Sequence, residues 1–168
     1  MNTISINTKS ILSTVAVDAL MMAAACLIPA ASHLTALPLY QANPMLLILL
    51  AGMLLVRDRR NAYLMAVLLP VCSNLIVGMP VASKLICMIP EYLTVVALFQ
   101  LVGSRLNGSV LKTTAAILAA MLGGKVVYYA LKAIVMGSLF ATPVALQVVV
   151  MLVSALLFAW AYNKKMTR

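Results

Sequence analysis

Acidic residues are almost missing from this chain of 168 residues: Asp18, Asp58 and Glu91 stand against twelve Lys and Arg. Three carboxylates in three separate segments leave no paired-carboxylate or two-metal site. There is no Walker A loop and no His-Glu-x-x-His helix, and the one histidine, His33, has no cysteine or carboxylate in its own segment. The chain is therefore expected not to be an enzyme, and to hold no metal or cofactor of its own. Cysteine is scarce as well. Cys26, Cys72 and Cys87 all lie in apolar runs, without metal-ligand spacing, and an odd number completes no disulfide framework. They are expected as small buried hydrophobes.

Charge of either sign is rare. Charged residues make up 9% of the chain and hydrophobic ones 65%. A soluble domain carries about 25% and about 45–50%. This excludes an ordinary water-soluble domain. It predicts an all-α, polytopic integral membrane protein, one domain over residues 1–168, long enough for about six spans of roughly 20 residues. The first ten residues are polar with one Lys, and the apolar run behind them lacks a clear cleavage site, so that run is expected to be retained.

Apolar runs and their breaks place six transmembrane helices at about 11–31, 44–56, 61–79, 82–103, 110–135 and 142–162. The breaks, among them "RDRRN", "GMP", "GSRLNGS" and "MGSLFATP", hold the Gly, Pro, Asn and Ser of turns. The second run is short, which implies a tilted or partly re-entrant helix, or one extended into the loop before it.

The positive charges sort by side. Lys9, Arg57, Arg59, Arg60, Arg105, Lys112, Lys164, Lys165 and Arg168 all fall on one side of a six-helix weave. The loops on the other side carry none. By the positive-inside rule both termini are cytoplasmic. The net charge of +9 is thus read as a topology signal, and no nucleic-acid partner is expected.

Three lysines remain, Lys84, Lys125 and Lys132, with Glu91. Lys84 and Glu91 are seven residues apart, as are Lys125 and Lys132, and two helical turns put each pair on one helix face. A charge at bilayer depth costs at least about 2.5–3.5 kcal/mol, so its retention calls for a reason. Lys84 and Lys132 fall toward the outer ends of their helices, where snorkelling to the interface is one reading. Glu91 and Lys125 are deeper, and a structural ion pair is one reading of them. The other reading is a polar, net-positive pocket open to the outside and suited to an anionic ligand. It would draw on Lys84, Glu91, Lys125 and Tyr128, on Asn74, and on His33, Tyr40, Gln41 and Asn43 of the loop between the first two helices. Asp18 has no obvious partner and reads as a helix-end or interface residue.

Small residues at four-residue spacing let helix backbones approach in lipid. Ala19 and Ala23 form one such pair in the first helix, and Ala115, Ala116, Ala119 and Ala120 form two in the fifth. Pattern alone leaves internal packing open for all of them.

The order of features resembles the substrate-binding S-components of energy-coupling factor (ECF) transporters. The best-marked part is "LLAGMLLVRDRRNAYLMAVLLPVCSNLIVGMPVASKLICMIPEY", Leu49 to Tyr92. It has a Gly-containing second helix, a basic inner turn, a third helix with Pro, a "GMP" turn, and a fourth helix with Lys and Glu. Where related members often carry His-Pro at the outer start of the second helix, this chain reads Asn43-Pro44. The resemblance implies capture of a vitamin or related micronutrient in the outer half of the fold. It also implies a lid from the loop between the first two helices, and docking on a transmembrane T-component through Ala19 and Ala23. Two cytoplasmic ATPases would use the ATP, and the location would be the cytoplasmic membrane of a prokaryote. Two other classes compete: a membrane scaffold of the MreD type, and a stand-alone secondary transporter with Glu91 as its proton site.

Overall fold

Turn chemistry sets the helix boundaries. The computed structural model describes residues 8–35, 43–56, 58–103, 109–137 and 144–166, without the side chains at 8–10, 30, 33, 35, 103, 144–146 and 166. Among the described residues there are six helices and no strand: α1 (Thr8–Thr35), α2 (Pro44–Leu55), α3 (Arg59–Val77), α4 (Ala82–Gly103), α5 (Val110–Met136) and α6 (Val144–Met166). Before α3, the Asp58 carboxylate accepts from the Arg60 amide at 2.9 Å, satisfying one of the unpaired donors of a helix start. After it, Gly78 takes the left-handed conformation (φ 74°), and its amide donates to the Asn74 carbonyl. Gly137 ends α5 in the same way, with φ 62°.

The expected helices are present, with shifts of a few residues at their ends. The largest are at the ends of α1, which runs on to Thr35, and of α6, which runs on to Met166. His33, expected in a loop, is therefore part of α1. The short second helix does not reach back into the loop before it: it starts at Pro44, behind a left-handed Asn43 (φ 48°). Proline is pre-organised for a first helical position.

Among the described residues five helices are long and apolar enough to cross a membrane. The 12 residues of α2 span only about 18 Å at 1.5 Å per residue, short of a hydrocarbon core of about 30 Å. Large apolar side chains cover the outside, among them Leu20, Leu75, Leu111 and Ile134, each at least 70% exposed. Such a surface has no place in water and needs lipid around it. The chain is a multi-pass membrane protein.

Packing runs in a ring, α1–α3–α4–α5–α6–α2 and back to α1, with α2 also against α3. Leu46, Leu49, Met65, Leu69, Tyr92, Val95, Val96, Ile117 and Met121 fill its middle. Glycine brings two pairs close. A Cβ on Gly52 of α2 would meet Met21 of α1, and one on Gly124 of α5 would meet Val95 and the Glu91 carbonyl of α4.

One end of the ring collects exposed cations. Lys165 of α6 donates to the Leu54 and Leu55 carbonyls that α2 leaves open. Gln100 of α4 donates to the Arg59 carbonyl at 3.3 Å, and Asn163 of α6 donates to the Thr113 hydroxyl of α5 at 3.1 Å. The ends of α2, α4 and α6 thus meet the starts of α3 and α5, and Arg59, Arg60, Lys112, Lys164 and Lys165 are all exposed there. Arg57, Arg105 and Arg168 lie outside the described residues.

Candidate functional site

The opposite half of the ring contains a buried polar network. Glu91, 1% exposed, lies on α4, and its carboxylate is 2.8 Å from the Lys125 ammonium of α5. The same carboxylate oxygen accepts from the Asn43 side-chain amide at 3.2 Å, and the Asn43 side-chain carbonyl accepts from the Tyr92 hydroxyl at 2.8 Å. Three helices therefore meet through four side chains. The left-handed backbone at Asn43, a conformation Asn tolerates better than most residues, holds this side chain at the mouth of α2. The absence of a side chain on Gly124 lets α5 approach Glu91 closely, which brings the next residue, Lys125, within salt-bridge distance.

Aromatic rings form the next layer. The Lys125 ammonium stands 5.0 Å from the centre of the Tyr128 ring, within cation–π range. Tyr128 meets Tyr129 edge to face at 5.4 Å, and the Tyr129 hydroxyl donates to Gln147 of α6 at 3.0 Å. A cleft with about 270 Å³ of empty space, counting the part continuous with the surroundings, runs between α2, α5 and α6 beside Lys125. Asn43, Gln147 and Met151 are among its walls, and its enclosed part is only water-sized.

Among the expected site residues, Glu91, Lys125, Tyr128 and Asn43 come together. Lys84 is half-buried two turns earlier on α4, and the ion pair of Glu91 is with Lys125. Asn74 serves the turn after α3: its amide donates to the Pro80 carbonyl at 2.6 Å. Ser73 beside it donates to the Met79 carbonyl at 2.7 Å. Tyr40 and Gln41 lie outside the described residues, as does the side chain of His33. Ala19 and Ala23 share the exposed face of α1. On α5, Ala116 and Ala120 are buried while Ala115 and Ala119 are exposed. The cysteines are free, with Cys87 fully buried and Cys26 and Cys72 half-buried. Among the described residues no cluster of His, Cys, Asp or Glu could hold a metal ion.

One expectation needs correction. Asp18 has a partner: the Asn61 amide of α3 donates to its carboxylate at 2.9 Å, so it ties α1 to α3. Lys132 is 6% exposed as a residue, its stem covered where α5 packs on other helices. Tyr92 and Gln147 were not expected in the network. A glutamine inside an apolar run was a visible signal, whereas nothing in the pattern marked Tyr92.

No protein-family model, curated protein or solved structure matches this chain.

Proposed function

We propose that the chain is the substrate-binding membrane subunit of an ECF-type importer, and that it captures a small, anionic, vitamin-like micronutrient. The observation that carries this reading is the Glu91–Lys125–Asn43–Tyr92 network. It lies buried in a lipid-facing bundle, on the half opposite the exposed cations and beside a cleft. Charge held at that depth is costly, and its position suits capture from the non-cytoplasmic side. In this reading all six helices form one membrane unit with both termini in the cytoplasm of a prokaryote. The exposed Ala19–Ala23 face of α1 meets a transmembrane T-component, and two ATPase subunits supply the energy. The ligand enters by parting α2 from α6, because the cleft as packed has no room for it.

The test has two arms. Native mass spectrometry of the gently purified protein should find a tightly held small molecule without ATP. Uptake in cells should require the T-component and the ATPases. Proton-driven uptake without those partners would instead identify a stand-alone transporter. A second reading, a membrane scaffold of the MreD type, is favoured by one observation: the water-sized interior of the cleft. Absence of any bound ligand, together with loss of cell shape on deletion, would select it.

A further inference from the structure

The Asn43 carboxamide is held at both its nitrogen and its oxygen. The nitrogen donates to the Glu91 carboxylate at 3.2 Å, and the oxygen accepts from the Tyr92 hydroxyl at 2.8 Å. A carboxylate can only accept, so the nitrogen has to face Glu91 and the oxygen Tyr92. Two consecutive residues of α4 thus present one acceptor and one donor, and both residues are buried, Glu91 at 1% exposure and Tyr92 at 0%. Such a pair fits any primary carboxamide, whichever molecule brings it. Asn43 brings its own on a short lever. It directly precedes the 12 residues of α2, with a left-handed backbone (φ 48°). The far end of α2 is fastened by Lys165 of α6, which donates to the Leu54 and Leu55 carbonyls. Asn43 also lines the cleft between α2, α5 and α6, whose other walls include the apolar Leu46, Leu47, Val150 and Met151. The one side chain therefore touches the buried pair and closes the space beside it.

We propose that Glu91 and Tyr92 form a subsite for a primary carboxamide of the cargo, and that the Asn43 side chain occupies it until the cargo displaces it. The outer end of α2 moves aside about its fastened inner end, and the apolar body of the cargo lies along Leu46, Leu47, Val150 and Met151. A tethered occupant has a physical reason: a buried carboxylate oxygen and hydroxyl left without that partner are costly, so the empty site supplies one. This rests on the importer reading and deepens it, because the anionic cargo then carries a carboxamide as well.

The experiment follows thermal unfolding of the purified protein in uncharged detergent, where a ligand of the folded state raises the unfolding temperature with its concentration. Benzamide is the probe. Acetophenone, which has a methyl group in place of the amide nitrogen, is the control. The variant is Asn43→Gly, because glycine keeps the left-handed backbone without strain. Benzamide, and not acetophenone, is expected to stabilise wild type. Asn43→Gly should bind benzamide about 10- to 100-fold more tightly than wild type, since the tethered group no longer holds the charged hydrogen bond. Adding Tyr92→Phe to Asn43→Gly should weaken benzamide about 2- to 10-fold, the loss of one neutral hydrogen bond. A purely structural Asn43 predicts the opposite sign, because its removal loosens the site. Equal or weaker benzamide binding in Asn43→Gly therefore overturns the proposal. So does an unchanged affinity when Tyr92→Phe is added. A wild type that responds alike to benzamide and acetophenone, or to neither, also overturns it and needs no variant to fold. None of these readouts involves the ATPases. Failure here with ATPase-dependent uptake intact removes the carboxamide subsite alone, and benzamide binding as expected with uptake independent of the ATPases removes the importer reading alone.

Discussion

A Cβ atom on Gly124 would stand 2.9 Å from the backbone carbonyl oxygen of Glu91 and 2.6 Å from a Val95 methyl. At Gly124 α5 lies close against the α4 backbone, and the residue after it makes the ion pair. Gly124→Ala is expected to push the two helices apart and lengthen the Lys125–Glu91 contact. Overpacking of this kind costs about 1–3 kcal/mol, and unfolding in detergent measures it. Gly123→Ala meets only the end of the Leu98 side chain, which can rotate away, and should cost less. Equal losses at both positions would show that the backbone approach is unimportant.

The Glu91–Lys125 pair should behave as a unit. Removing one partner of a buried pair costs about 3–5 kcal/mol, because the other charge is stranded, whereas replacing both can be nearly neutral. Lys125→Met is therefore expected to destabilise strongly, and adding Glu91→Leu should recover much of the loss. Glu91→Gln keeps an acceptor for Asn43 and should fall between wild type and Lys125→Met. A double-mutant cycle on unfolding temperatures tests this; independent, additive effects would mean that the two groups are not coupled.

Ala19 and Ala23 are exposed on α1, so Ala19→Leu and Ala23→Leu fill no interior space. Each is expected to leave stability within about 0.5 kcal/mol, as surface substitutions do. If this face meets a T-component, both should abolish uptake while sparing ligand binding, because a bulky side chain holds a partner helix away. Normal uptake in both variants would place the coupling face elsewhere.

Orientation is open to a direct check. Single cysteines at positions 40 and 59, in a background without Cys26, Cys72 and Cys87, should react differently with an impermeant thiol reagent in intact cells. Position 40 should label and position 59 should not, if the exposed cations face the cytoplasm as the positive-inside rule predicts. The opposite pattern would invert the topology.

Composition and the spacing of breaks sufficed for the class of protein, the six helices and most of their limits. The reason is that in lipid every backbone donor must be satisfied inside its own segment, so a long apolar run has few alternatives to a helix. Glycine and proline then mark where each helix stops, as Gly78 and Gly137 do. Seven-residue spacing correctly put Lys125 and Lys132 on one face of α5, but it could not say what that face meets. That depends on how α5 turns against its neighbours, and Gly124 determines it through a close approach to a residue 33 positions earlier in the chain. Only the tertiary structure matched Glu91 with Lys125 and not Lys84, and gave Asp18 to Asn61. Each of these pairings joins segments far apart in sequence, and in a chain with so few carboxylates the packing of helices decides which cation receives one.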